Sequence, residues 1–381
     1  KTFTNQIKRG DILLSYPYES MEPFLRLLKE SAQDPNVLSI KITIYRLSHQ
    51  SKVIDALAAA AENGKDVTAL MELRARFDEQ NNIDWSQRLE EAGCRVIYGT
   101  DGYKVHSKVC LITRRERGKI QYITQIGTGN YNEKTAKLYT DFSLMTANQE
   151  IGEDAALFFT NMAIGNLDGE YRKLLVAPHS LKRGLLALIA QETEKAQMGK
   201  SARIMMKMNS LTDREVIDAL CRASQAGVKI RLLIRGICCI LPGVSGKTDN
   251  ISVTSIVGRF LEHSRIYCFG EGSEMKMYLS SADMMTRNTQ RRVEVACPVV
   301  DKGARRKLFS YLRIMFQDRQ KARVMTASGE YLCIPAEGEE ELDAQKALMA
   351  KAEKQAMALK EQEKALGDTF FHKMRERLRN R

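Results

Sequence analysis

"IKITIYRLSHQSKVIDALAAAAENGKDVTALMELRARF" (residues 40–77) and "RIMMKMNSLTDREVIDALCRASQAGVKIRLLIRGICC" (residues 203–239) are two copies of one pattern. Each reads as an apolar strand, a helix, a glycine stop and a second apolar strand. The pentapeptide VIDAL stands at residues 53–57 and again at 216–220, and Gly64 and Gly227 follow the copies at the same offset. Either glycine can take the left-handed conformation that ends a helix before a strand.

The agreement extends beyond these cores. "GYKVHSKVCLITRR" (102–115) is followed by "IGTGNYNEKTAKLYTDFSL" (126–144), and "GRFLEHSRIYCFG" (258–270) by "SSADMMTRNTQRRVEVACP" (280–298). Each half therefore carries a His-x-(Lys/Arg) stretch on an expected strand, His106 with Lys108 and His263 with Arg265, and later an asparagine, Asn130 or Asn288. A strand alternates its faces, so Lys104, His106 and Lys108 share one. A histidine that merely wets a strand face has no reason to recur at the matching place in a duplicate. Strands alternating with helices imply two α/β domains with mixed, largely parallel sheets. Their expected bounds are residues 1–170 and 171–335, followed by a charged helical tail over 336–381 in which Gly367 is the candidate break.

Bulk composition sets the remaining limits. A chain of 381 residues with 44% hydrophobic residues is long enough for two ordered domains with separate cores. Its most apolar stretch, "IRLLIRGICCILPGV", is interrupted by Arg235 and stopped by Pro242, which excludes a bilayer span there. No signal peptide opens the sequence, and a first residue of Lys suggests a piece of a longer protein. The eight cysteines form no Cys-x-x-Cys pair and read as reduced core residues of a cytoplasmic protein. A formal charge of +12 points to an anionic partner.

Paired histidines with a neighbouring cation and a later asparagine, in a duplicated α/β frame, resemble the phospholipase D superfamily. In that arrangement one histidine attacks phosphorus, its partner moves a proton, and cationic and amide groups hold the phosphoryl oxygens. An imidazole with an ordinary pKa of about 6.5 is a competent neutral nucleophile near pH 7. The superfamily's Asp is replaced by Thr113 and Gly270, and Arg265 stands where it uses Lys, which weakens a phosphodiesterase reading.

A narrower resemblance rests on eight ordered stretches: "IKITIYR", "ELRARFDE", "GYKVHSKVCLITRR", "IGTGNYNEKTAKLYTDFSLMT", "KMNSLTD", "RGICCILPG", "SIVGRFLEHSRIY" and "YLSSADMMTRN". Together they resemble the bacterial polyphosphate kinase family that makes polyphosphate from ATP. The resemblance implies two tandem phospholipase D-like α/β domains related by internal duplication. It also implies reversible transfer of the ATP γ-phosphate to a polyphosphate chain, with Mg²⁺, through a phosphohistidine. The phosphorylated residue then falls on His106. His263 becomes a proton donor or acceptor, or a stabiliser of the transferring group. Nucleotide contacts fall on Tyr139, Arg235 and His263, and the magnesium-site arginines on Arg46 and Arg76. A guanidinium has donors only, so these arginines are expected to clamp the phosphate oxygens that hold the metal. Lys108, Asn130, Arg265 and Asn288 would complete a phosphoryl cradle, to which backbone N–H groups of "IGTGN" could add. Tyr139 is equally readable as a core ring or as a stacking partner for adenine.

The partners so implied are ATP or ADP and inorganic polyphosphate, with no specific nucleic acid. Family members carry two further domains ahead of this region, one helical and one dimerising, so the full-length protein is expected to be a homo-oligomer. The expected place is the cytoplasm, including its periphery at the inner face of the membrane. Two other readings stay open on the residues alone: a phospholipase D-like phosphodiesterase or nuclease, and a non-catalytic polyanion-binding module. "GVSGKT" (243–248) is no phosphate-binding P-loop, because Leu241 stands where that motif needs glycine.

Overall fold

The computed structural model describes residues 2–75, 77–333 and 342–379, with side chains described as far as residue 361. The first half contributes strands β1 (Ile12–Tyr16), β2 (Val37–Ile44), β3 (Asp66–Met71), β4 (Arg95–Tyr98), β5 (Lys104–Val105), β6 (Val109–Glu116), β7 (Lys119–Gly127) and β8 (Tyr139–Thr146). Next come β9 (Leu175–Ala177), β10 (Arg203–Met208), β11 (Lys229–Ile234), β12 (Ile251–Ile256), β13 (Leu261–Glu262) and β14 (Arg265–Phe269). The last four are β15 (Lys276–Ser280), β16 (Arg292–Pro298), β17 (Ala322–Met325) and β18 (Tyr331–Cys333).

The duplicated sequence folds into matching units. Helix Lys52–Glu62 starts where Ser51 Oγ accepts from Ile54 N–H, and helix Arg214–Gln225 where Asp213 accepts from Val216 N–H. Such side chains satisfy amide donors that the first helical turn leaves over. Gly64 and Gly227 follow these helices at φ +78° and +100°, and each chain then enters a parallel strand.

One sheet runs β1-β8-β7-β6-β2-β3-β4 and the other β18-β17-β12-β11-β10-β14-β15-β16. Among the described residues only β2-β3-β4 and β10-β11-β12 are parallel within their own sheets, so the sheets are mixed, not largely parallel as the strand–helix alternation suggests. The difference comes from hairpins. Between β6 and β7 the turn residues Arg117 and Gly118 both have positive φ, the two-residue geometry that matches strand twist.

Two short strands leave home. β5 pairs in parallel with β16 of the second half, Val105 opposite Val293. β13 pairs in parallel with β8 of the first half, Glu262 opposite Thr140. His106 and His263 follow directly, in the breaks before β6 and β14. The histidines are thus not on the faces of continuous strands, because the chain is crossing between sheets where they stand.

The packing differs from two separate cores. One apolar cluster, including Phe24, Leu28, Ile42 and Leu57, belongs to the first half, and another, including Leu185, Leu220 and Tyr267, to the second. A third is shared by both: Leu111, Phe142 and Phe158 pack with Ile266, Leu279, Leu308 and Tyr311. Helix Ala344–Arg379 starts on this shared core through Ala344 and Leu348, and its backbone continues helically past Gly367. Among the described residues no helix is long and apolar enough to cross a membrane. Cys94, Cys110, Cys268 and Cys297 are buried free thiols, whereas Cys239 and Cys333 are exposed, unlike the core cysteines expected.

Candidate functional site

The crossing strands put each histidine beside a carboxylate of the opposite half. One residue past the β5–β16 pairing, His106 Nδ1 lies 2.8 and 3.0 Å from the Glu294 oxygens. One residue past the β13–β8 pairing, His263 Nδ1 lies 2.9 and 2.8 Å from those of Asp141. An ionised carboxylate oxygen only accepts, so opposite ionised Glu294 and Asp141 each ring carries its proton on Nδ1 and keeps its lone pair on Nε2. In His263 that Nε2 is 3.2 Å from Arg265 Nη1, a donor. Asp141 also accepts from Thr128 Oγ1 at 2.6 Å, and Glu294 from Ser281 Oγ.

Cations crowd the same space. Lys108 is 2% exposed, donates to the His106 carbonyl and lies 5.2 Å from the Tyr45 ring centre. That ring meets His106 edge-on at 4.8 Å. Arg265 forks onto Asp283 at 3.3 and 2.9 Å and donates to the Thr128 carbonyl. The fork explains an arginine at this position, since a lysine ammonium could not span both oxygens in one plane.

Burial, joined by the charges of Lys108, Arg292, Arg265 and His263, holds the His106 imidazole well below its ordinary value. His263 is near enough to act on His106 through its charge. Burial also lowers His263, with Asp141 opposing the shift. For Asp141 burial raises the carboxyl, but His263, Thr128 and Arg265 outweigh it and keep the group below the usual carboxylate range. Burial brings the Lys108 ammonium down to about 7 and the Glu294 carboxyl up to about 7.

The remaining expected residues divide. Tyr139 opens β8 half-buried, its ring 5.4 Å from that of His263. Arg235 follows β11 and spends its Nε on Asn209 Oδ1 and the Glu262 carbonyl, at 3.0 and 2.6 Å. Arg46 pairs with Asp78 at 2.8 Å and lies 5.3 Å from the Tyr45 ring, so it reaches the site through that tyrosine. Arg76 lies outside the described residues. Asn130 and Asn288 each have a buried side-chain oxygen that accepts no hydrogen bond. In "IGTGN" the Gly127 and Thr128 N–H groups are spent on Lys108 and Phe142 carbonyls, so those two add nothing to a cradle. Gly129 has a different role: a Cβ there would stand 2.0 Å from Asp141 Oδ2. "GVSGKT" closes on itself through Gly243 N–H to the Thr248 carbonyl.

Asp141, Glu294 and Asp283 were missed in the sequence. Their signal was a lone acid in an otherwise apolar strand, "LYTDFSL" or "RRVEVACP", with Asp283 in "SSADMM". Among the described residues no group of three or more His, Cys, Asp or Glu side chains is arranged to hold a metal ion. These carboxylates are committed to histidine, arginine and serine donors. Surface relief does not locate the site either. A cleft of about 820 Å³ lies between helices Leu181–Gln197 and Arg214–Gln225, and none of the site residues lines it.

Comparison with known proteins gives one answer. The family description "Polyphosphate kinase C-terminal domain 1" matches residues 2–166, and "Polyphosphate kinase C-terminal domain 2" residues 174–345. A polyphosphate kinase of Staphylococcus epidermidis is 48% identical over 92% of this chain and 48% of its own length. One from Pseudomonas aeruginosa is 48% identical over 86% of this chain and 47% of its own. The chain thus spans about half the length of the curated relatives it matches. The crystal structure of polyphosphate kinase from Porphyromonas gingivalis superposes with TM-score 0.86 at 39% identity, covering 93% of this chain and 54% of that one. Phosphatidylserine synthase of Haemophilus influenzae, 12% identical, has TM-score 0.58 over 92% of this chain and 94% of its own, a likeness of fold alone.

Proposed function

Because the chain belongs to the polyphosphate kinase family, of which it carries the two C-terminal domains, we propose that it is the phosphoryl-transfer core of an ATP:polyphosphate phosphotransferase. Residues 1–170 and 171–335 form its two phospholipase D-like units, and 336–381 its tail.

The observation that carries this reading is the crossed pairing of each histidine with the other half's carboxylate. His106 Nε2 attacks the γ-phosphorus in line. The N–P bond forms as the bond to the bridging oxygen breaks, and ADP leaves with that electron pair. Glu294, holding Nδ1–H, balances the positive charge that the ring acquires. The depressed basicity of His106 keeps the attacking imidazole neutral at pH 7. The terminal oxygen of polyphosphate then attacks the phosphohistidine and frees His106; the same steps run backwards give ATP from ADP.

His263 presents the Nε2 lone pair beside Arg265, which suits it to taking up a proton, and once protonated there it would stabilise the moving phosphoryl group. Lys108, Arg265, Asn130 and Asn288 contact its equatorial oxygens. Tyr139 and Arg235 face the nucleotide, while Arg46 and Arg76 clamp phosphate oxygens. The donor set does not fit a protein-held magnesium site, since arginines cannot ligate and the carboxylates are committed. Mg²⁺ would come as part of the substrate, held by phosphate oxygens and not by this chain's side chains. The positive charge lines a path for a polyanion, so polymer binding weakens steeply with salt.

Incubation with γ-labelled ATP and Mg²⁺ tests the assignment. Acid-labile label is expected on the wild type and absent from His106→Ala. Label that persists in the variant removes His106 as nucleophile. No label on this chain or on the full-length protein favours a binding module, and cleavage of a phosphodiester without label transfer favours a phosphodiesterase.

A further inference from the structure

The start of the C-terminal helix holds the strand that carries His263. Gln345, 3% exposed, donates from Nε2 to the Phe260 carbonyl at 2.9 Å and to Glu262 Oε1 at 2.8 Å. Its Oε1 accepts from Phe260 N–H at 3.0 Å. One amide thus grips residues 260 and 262, directly before His263.

The grip is built on both sides. A Cβ at Gly258 would stand 2.5 Å from Gln345 Oε1, so the loop is bare where the amide enters. The helix is itself pinned, with Ala344 N–H donating to Asp318 Oδ2 at 2.7 Å. Below the grip Glu262 completes a buried network. Its Oε2 accepts from Thr140 Oγ1 at 2.8 Å and Tyr311 hydroxyl at 3.2 Å and pairs with Lys207 at 3.0 Å.

The two halves differ here. Residues just after matching strands serve both crossings: Glu72 accepts from Val105 N–H at 2.8 Å, and Arg235 donates to the Glu262 carbonyl. Among the described residues, only β13 is held in addition from the helix. β13, like β5, is two residues long and pairs with a single strand, and it must deliver His263 to Asp141 within a hydrogen bond's length. So short a strand has little pairing of its own to fix that delivery.

We propose that Gln345 is a positioning residue for His263, and that the first turn of the C-terminal helix therefore belongs to the frame of the active site. The proposal rests on the functional reading of His263 above, but its geometric part stands apart from it. None of the three hydrogen bonds reaches His263 itself, so Gln345 acts through residues 260–262.

The test reads the imidazole directly, by side-chain ¹⁵N–¹H spectra of histidine-labelled protein. In the wild type His263 is expected as a single Nδ1–H tautomer. In Gln345→Ala it becomes a mixture of tautomers while His106 is unchanged. Gly258→Ala, which evicts the amide without altering it, gives the same change. Lys351→Ala removes a donor to Ser310 Oγ further along the same helix and leaves both histidines unchanged. In the full-length enzyme Gln345→Ala lowers kcat on the order of 10- to 100-fold, with KM for ATP held. A His263 that stays a single tautomer in both Gln345→Ala and Gly258→Ala overturns the proposal, as does an equal change at His106. Absence of His106 phosphorylation in the wild type would instead overturn the kinase reading and leave the tautomer result standing.

Discussion

His106 and His263 are each bonded to a carboxylate, an arrangement that raises an imidazole pKa, yet burial and neighbouring cations leave both below the ordinary value. The sign of the linkage follows. Below about pH 6.5 an unfolded His106 takes up a proton that the folded ring refuses, so its share of stability is whole above that pH and lost as pH falls. Thermal melts should show the wild type losing stability relative to His106→Gln between pH 7 and pH 5; a constant difference would contradict the buried neutral ring. A second expectation concerns Gly129, whose missing Cβ leaves the room that Asp141 fills. Gly129→Ala should push Asp141 off His263 and slow phosphoryl transfer on the order of 100-fold, measured by label turnover, with little change in ATP binding. The histidine pair was legible because duplication wrote it twice. Its carboxylates were not, because a single acid in "LYTDFSL" or "RRVEVACP" does not reveal which strand of the other half lies beside it.

Elements explain that blind spot. Repeated strand–helix–strand units were readable from VIDAL and its trailing glycine, and both copies fold as parallel pairs. The two-residue strands β5 and β13 were not, since no periodicity exists over two residues. They looked like the first turns of longer strands, and only pairing across the halves separates them from β6 and β14. Glu72 holds β5 by accepting from the buried Val105 N–H, and it accepts from Arg74 N–H as well. Glu72→Ala leaves a buried donor unpaired and should cost about 1–3 kcal/mol in urea unfolding. The same change should slow labelling of His106; normal labelling would mean that β5 holds its place without Glu72.

At the scale of the molecule, the third apolar cluster ties the halves together, with Phe142 of β8 edge-on to Tyr311 at 4.9 Å. Residues 1–170 expressed alone should bind a hydrophobic dye and lack a near-ultraviolet tertiary signal, regaining it on mixing with residues 171–381. A cooperative melt from the isolated half would show that the shared core is dispensable. The crossed site also sets a schedule for the ribosome. His106 waits for a carboxylate 188 positions later, and His263 reaches back 122 positions for its own. A nascent chain that has released the whole first half therefore carries His106 without the carboxylate that orients it. On the proposed reading, phosphoryl chemistry waits until residue 294 has left the ribosome and both halves have folded together.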